Sequence, residues 1–359
     1  MAASALLLVA CGEKPGFTIT GTVDNSELNG KTVYLTPYGI NDAAAIDSAI
    51  INNGQFSLSG TQANAILCQI KVNTGKEGEK GYQAVFVLEN GQLKANLEDN
   101  SSSVSGTPEN EAYNALNSEL TKFNEKIKEL NEEKRSEDKA VAEAAENKIE
   151  ELSKQSLEKI TAYIKANTDK LSAAKLFVEN NYSMAEDDMF AIIDKADSTF
   201  KSAPRMEKLL QVVDARRNVA VGKKFADFEM AGPDGKMHKL SEYVGNGKVV
   251  LIDFWASWCP PCRRDMPNIV ATYKKYKSKG FDIIGVSLDH KADAWAKGVK
   301  DLDITWPQLS DLQGWKNAGA KLYGVNSIPH TILVDKDGTI IAKGLHGVEI
   351  AAKLEEILK

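Results

Sequence analysis

The stretch from Val250 to Cys262, read VLIDFWASWCPPC, constrains this chain more than any other. An apolar, β-branched run ends directly in a C-x-x-C pair, Cys259 and Cys262. Such a run reads as the central strand of a sheet covered on both faces. Pro260 and Pro261 suit a first helical turn, where an N–H has no helical partner. The pair therefore falls where a parallel strand gives way to a helix. A thiol there sees the positive end of the helix macrodipole, which stabilises its thiolate. Two sulfurs on one helical turn can close a small disulfide without moving the backbone far. The chemistry this predicts is thiol–disulfide exchange.

Two other uses of a C-x-x-C pair are half of a zinc site and an inert structural disulfide. The zinc reading lacks its second half: His238, His290, His330 and His346 stand far from one another, and no second C-x-x-C exists. No metal is expected, and no cofactor. Only Cys11 and Cys68 remain, so this is no disulfide scaffold. Cys68 sits in an apolar run and reads as a small buried hydrophobe. A formal net charge of −6 offers no basic field, and no nucleic-acid motif is present, so no nucleic-acid partner is expected.

The run from Ser4 to Cys11 is short, apolar and ends in small residues before a Cys. It is too short to span a membrane and looks like the end of a secretory signal peptide. Leu8, Val9, Ala10 and Cys11 resemble a bacterial lipobox, which would make Cys11 a site of lipidation. No Lys or Arg precedes Lys14, so the basic n-region of such a peptide is missing. The competing reading is an accidental apolar N-terminus.

The length of 359 residues suggests two or three domains. Residues 16–106 carry short alternating runs and turn signals, among them Asn53-Gly54, and read as a small antiparallel β-domain, a sandwich. Residues 108–220 contain almost no Gly or Pro. Tyr113, Leu116, Leu120, Phe123, Ile127 and Leu130 recur at helical spacing, as do Ile149, Leu152, Leu157, Ile160 and Ile164. This predicts long amphipathic helices, an antiparallel pair with a turn near Arg135–Asp138. Packing within the chain is preferred to dimerisation. Residues 221–359 alternate strands and helices in βαβ fashion. The fold class is multidomain: a C-terminal α/β unit preceded by a β-domain and a helical segment.

Residues 222–359 resemble the thioredoxin-like superfamily, and within it the exported thiol–disulfide oxidoreductases of the TlpA/ResA type. The first signature is Asp253 to Cys262, DFWASWCPPC. The second is Tyr323 to Pro329, YGVNSIP, matching the family segment whose proline is cis and faces the dithiol. The third is Cys259-x-x-Cys262-x-x-Asp265-x-Pro267, near a pattern in which the exported branch has Glu where this chain has Asp265.

The resemblance implies a thioredoxin fold and a set of roles. Cys259, read as the more exposed thiol, is the nucleophile, and Cys262 resolves the mixed disulfide. A buried Asp253 takes the Cys262 proton, although a core Asp with a local partner is the competing reading. The Lys that partners this acid in thioredoxins is Gly285 here, which leaves the proton route open. Asp265 ranks below Asp253 because its side chain is short. Trp258 is a rim aromatic that touches substrate, and Trp255 belongs to the core. Pro329 lies against the sulfurs, and the Ile328 backbone pairs with an extended client. His330 reads as a partly exposed rim residue.

The implied partners are disulfide-containing client proteins, a membrane electron donor, and the membrane itself through a lipid anchor. The implied location is the cell envelope of a Gram-negative bacterium, as a periplasm-facing lipoprotein acting as a reductant. Two alternatives stay open. One is a peroxiredoxin-like thiol peroxidase, although such enzymes place Thr or Ser where this chain has Ala256. The other is a binding or scaffold lipoprotein with an accessory redox domain.

Overall fold

The structure, a computed structural model, describes residues 16–74, 81–99 and 101–358. Cys11 and the apolar run before it lie outside the described residues. The chain divides into two compact units between Glu207 and Lys208.

The first unit opens with eight strands: β1 (Phe17–Val23), β2 (Thr32–Pro37), β3 (Asp47–Ile50), β4 (Gln55–Gly60), β5 (Ile66–Val72), β6 (Gln83–Leu88), β7 (Gly91–Leu97) and β8 (Ser103–Ser105). They form two four-stranded sheets, ordered β4-β1-β7-β8 and β3-β2-β5-β6. Alternation decides the packing. Phe17, Ile19, Leu58 and Leu93 of one sheet share a buried cluster with Val33, Leu35, Ile70 and Phe86 of the other, as a sandwich requires. The pairing is antiparallel except between β1 and β7, which run parallel. Asn53 and Gly54 both have positive φ, the signature of a type I′ turn. Past the Asn52–Gln55 bridge the two arms part, β3 joining β2 and β4 joining β1. That turn thus carries the chain from one sheet to the other. Cys68 is fully buried in β5, and burial pushes its thiol up to about 12, which leaves it unreactive at neutral pH.

Helices α1 (Pro108–Glu133) and α2 (Lys139–Ala166) follow, with Asp138 capping α2 through the Ala140 N–H. Tyr113, Leu116, Ile160 and Ile164 are buried on their inner faces. Lys134–Glu146 and Lys159–Glu119 bridge the pair at 2.7 and 2.6 Å. These pairs are exposed and screened by solvent, so the apolar stripe holds the hairpin. Asn110 in the first turn of α1 is fully buried and bonds both backbone groups of Val87, at 2.9 and 2.8 Å. It closes the free edge of β6, so sandwich and helices share one unit.

Long helices do not continue to Arg217. The chain breaks into α3 (Leu171–Asn180), α4 (Glu186–Lys195), α5 (Ser198–Lys201) and α6 (Met206–Asn218). The breaks are made by short polar side chains. Asn167 bonds the Tyr163 carbonyl, and Asp197 accepts from the Phe200 N–H.

The second unit contains the Lys208–Asn218 part of α6, then β9 (Glu229–Ala231), β10 (Met237–Lys239), β11 (Val249–Trp255), α7 (Pro260–Tyr276), β12 (Phe281–Ser287), α8 (Ala292–Asp301), β13 (Gln308–Leu309), α9 (Ala318–Leu322), β14 (His330–Val334), β15 (Ile340–Lys343) and α10 (Val348–Ile357). The sheet order is β13-β12-β11-β14-β15. β11, β12 and β13 are parallel, while β14 and β15 are antiparallel to their neighbours. All seven residues of β11 are buried, which explains its unbroken apolar reading. The central strand delivers the chain straight into α7, with the C-x-x-C pair at the join.

Candidate redox site

Cys259 is the N-cap of α7 and Cys262 lies in its first turn. The sulfurs are joined in a disulfide, with Cα atoms 5.3 Å apart. The Cys262 N–H points at the Cys259 sulfur from 3.2 Å. This is a helix N-terminus aimed at the atom that would carry charge in a thiolate, so reduction leaves an anion facing a donor and the positive end of the dipole. Pro260 and Pro261 fill the positions where an N–H would have no helical acceptor. One expectation is corrected here. Cys259 is not the more exposed thiol, since both cysteines are 2% exposed. What sets Cys259 apart is its place at the cap.

Ile328–Pro329 is a cis peptide, as the motif implied. The Ile328 carbonyl lies 3.7 Å from the Cys259 sulfur. A disulfide sulfur has no proton to give, so this is a close contact that can become an S–H···O bond only on reduction. The segment thus sits beside Cys259. Ile328 and Pro329 are half-buried, which leaves part of their surface open to a partner.

Asp253 is 1% exposed, and neither carboxylate oxygen has a hydrogen-bond partner. The competing reading, a core Asp satisfied by a local partner, does not hold. Burial, reinforced by the charge of Asp265, raises its pKa to about 7. Gly285 stands in register beside it on β12, with no cation to offer. Above Gly285 lies the Gln308 amide, whose oxygen accepts from the Trp255 indole at 2.9 Å. Trp255 is fully buried, a core residue.

Asp265 is otherwise engaged. Its carboxylate accepts from the Gly347 N–H at 2.9 Å and from the Asn268 amide at 3.2 Å. Gly347 has φ +44, and a Cβ there would meet Asp265 Oδ1 at 2.7 Å. Asp265 therefore ties α7 to the start of α10.

Near the dithiol, Trp315 and Asp289 were not singled out from the sequence, while Trp258 and His330 were. Trp258 is 46% exposed and packs edge-on against Trp315, itself 47% exposed, with ring centroids 6.2 Å apart. Asp289, 1% exposed, accepts from the Ser257 N–H at 3.0 Å and its hydroxyl at 2.5 Å, and from Ser287 Oγ at 2.8 Å. It fixes the turn two residues before Cys259. His330 is half-buried, but its Nε2 is out of solvent and without a partner. Burial first, then nearby positive charges, lower its pKa to about 3. It is a neutral imidazole whose Nε2 is turned into the protein, while the residue as a whole stays partly exposed as expected. Among the described residues no group of His, Cys, Asp and Glu is arranged to hold a metal, and no helix is long and apolar enough to cross a membrane.

Residues 221–343 match the AhpC/TSA family, and residues 17–113 match a domain of unknown function (DUF4369). Over 139 residues the chain is 36% identical to the thiol-disulfide oxidoreductase ResA of Bacillus thuringiensis subsp. konkukian, covering 39% of this chain and 77% of that protein. The ResA of Geobacillus thermodenitrificans is 34% identical over 122 residues, 34% of this chain and 67% of that one. A crystal structure of the thioredoxin domain of a thiol-disulfide oxidoreductase from Bacteroides vulgatus is 31% identical, with a TM-score of 0.37, covering 39% of this chain and 99% of that one.

Proposed function

The chain belongs to the ResA family of thiol–disulfide oxidoreductases, and from that premise we propose that it reduces disulfides of client proteins in the cell envelope, through Cys259 and Cys262. The observation that carries this reading is a disulfide closed on the first turn of α7, beside the Ile328–Pro329 segment.

In the reduced protein the Cys259 thiolate attacks one sulfur of a client disulfide. A Cys259–client bond forms, and the other client sulfur leaves as a thiolate and takes a proton. Cys262 then loses its proton and attacks the Cys259 sulfur. The Cys259–Cys262 bond forms, and the second client sulfur departs with the electron pair. Two electrons have passed from dithiol to client. Asp253 accepts the Cys262 proton in this reading, which its pKa of about 7 supports: such a carboxyl changes protonation easily near neutral pH. The Ile328 backbone takes the client as an added strand, and Trp258 covers the dithiol.

Each turnover leaves the enzyme oxidised, so a reductant in an oxidising compartment needs a membrane electron donor. Lipidation of Cys11 would keep the chain beside that donor, facing the periplasm of a Gram-negative cell. The lipobox-like Leu8–Cys11 supports this placement. The curated relatives named above come from Bacillus and Geobacillus, and the structural relative from Bacteroides.

The AhpC/TSA match favours a second reading, a thiol peroxidase. Ala256 stands where the resemblance puts a Thr or Ser in such enzymes. One experiment separates the two. Cys262→Ser should accumulate mixed disulfides through Cys259 and turn over no peroxide. Peroxide turnover that survives Cys262→Ser, with no client captured, would establish the peroxidase instead.

A further inference from the structure

Residues 208–220 belong to the second unit but precede the family match, which begins at Val221. Within them Arg216 is 5% exposed, unusual burial for a guanidinium. Its Nε–H donates to the Gly324 carbonyl at 2.9 Å, and an Nη–H donates to Asn326 Oδ1 at 2.6 Å. Gly324 has φ +63, and a Cβ there would lie 2.7 Å from both Arg216 Cγ and the Val212 carbonyl oxygen. Only glycine lets α6 approach so closely. From the other side the same turn is held by α9, through Tyr323 N–H to Gly319 at 3.0 Å and Val325 N–H to Ala320 at 2.8 Å. Two residues past Asn326 come Ile328 and Pro329. The reach of Arg216 extends further still, because its charge is among those that lower the His330 pKa.

We infer that Arg216 is a positioning residue for the client-binding segment Ser327–Pro329: its planar fork clamps Gly324 and Asn326 and so fixes the strand edge offered to an extended client. The inference rests on the reading that this segment receives the client backbone. A guanidinium holding two acceptors in fixed geometry does what a lysine cannot, because an ammonium is a point donor on a flexible stem. Arg216 touches neither sulfur, so its effect falls on peptide clients and spares small disulfides that make no strand pairing.

The test uses the full chain carrying Cys262→Ser, reduced, and follows the rate of mixed-disulfide formation with insulin and with hydroxyethyl disulfide. Adding Arg216→Gln should slow insulin capture about tenfold and leave hydroxyethyl disulfide capture within about twofold. Arg216→Lys should recover only part of the loss. Asn326→Ala removes one exposed acceptor without emptying the buried site, and should slow insulin capture about threefold. It decides the matter alone if the Arg216 variants do not fold. Unchanged insulin capture in Arg216→Gln, or in Asn326→Ala where that stands alone, overturns the inference. So does an equal loss with both disulfides, which would mean a damaged dithiol. If Cys262→Ser alone captures no insulin, the oxidoreductase reading fails and takes this inference with it. If it captures insulin and the Arg216 and Asn326 variants do so equally fast, only this inference fails.

Discussion

Asp253 and Gly285 stand in register on adjacent parallel strands, so the neighbour that could have neutralised the buried carboxylate has no side chain. The acid keeps a raised pKa because nothing nearby favours its charge, and the Asp265 charge opposes it further.

This arrangement sets a stability profile. The native pKa of about 7 lies above the ordinary 3.8, so the folded state holds a proton that the unfolded state has released. Stability from this group is present below pH 4 and is lost as pH rises from about 4 to about 7. The span corresponds to a few kcal/mol. Asp253→Asn should remove that fall and make the oxidised protein more stable than the parent at pH 8. It should also slow release of client from the mixed disulfide. Urea unfolding across pH, beside single-turnover kinetics, measures both. A variant no more stable at pH 8 would contradict the raised pKa.

His330 works in the opposite sense. Its pKa of about 3 lies below the ordinary 6.5, so between these values the unfolded chain binds the proton and the native state does not. Stability from this group is complete above pH 6.5 and is lost as pH falls toward 3. Over pH 4 to 6.5 the two residues offset one another, and the parent should show a shallow profile there. Asp253→Asn should uncover a rise with pH, and His330→Phe a fall. Two variants with parallel profiles would refute this opposition.

The Asp289 carboxylate carries the turn ahead of Cys259, accepting from both the N–H and the hydroxyl of Ser257. Asp289→Ala leaves these half-buried donors without an acceptor, at a cost of about 1 kcal/mol. It should also slow alkylation of reduced Cys259, because the cap loses its fixed geometry. Asp289→Asn, which keeps one acceptor, should fall between. Thermal unfolding and an iodoacetamide rate serve as readouts. A full loss of stability with an unchanged alkylation rate would confine Asp289 to a structural part.

Much of the second unit was legible because local signals agreed with the fold. β11 is buried on both faces and so reads as an unbroken apolar run, and the prolines after Cys259 mark the helix start. Pro329 and Asp253 were reachable from motif and burial. Contacts made at long range were not. Arg216 lies 108 positions from the carbonyl it holds, and Asp289 lies 32 from Ser257; neither spacing leaves a periodic trace. Gly285 was legible as a missing lysine, but the amide that fills its space comes from Gln308 on another strand. In the first unit the Asn53-Gly54 turn is present, but the hairpin read around it is not, since its arms belong to different sheets. That split is not legible, because alternation fixes which face is buried and leaves the partner strand open.

Trp315 is a large apolar side chain left nearly half in water, and it meets Trp258, the residue directly before Cys259. Exposed aromatic rings beside a reactive sulfur offer contact area to whatever approaches it, at low entropic cost. Trp315→Ala should therefore leave stability within about 0.5 kcal/mol, as an exposed substitution does. It should raise KM for a protein disulfide severalfold with kcat little changed, as loss of a client contact away from the sulfurs would. Trp258→Ala should do the same, and the double variant should cost less than the sum, because each ring supports the other. Steady-state kinetics on insulin, beside hydroxyethyl disulfide as a small control, make the comparison. Strict additivity would show that the rings act separately, and a loss confined to kcat would place Trp315 outside client binding.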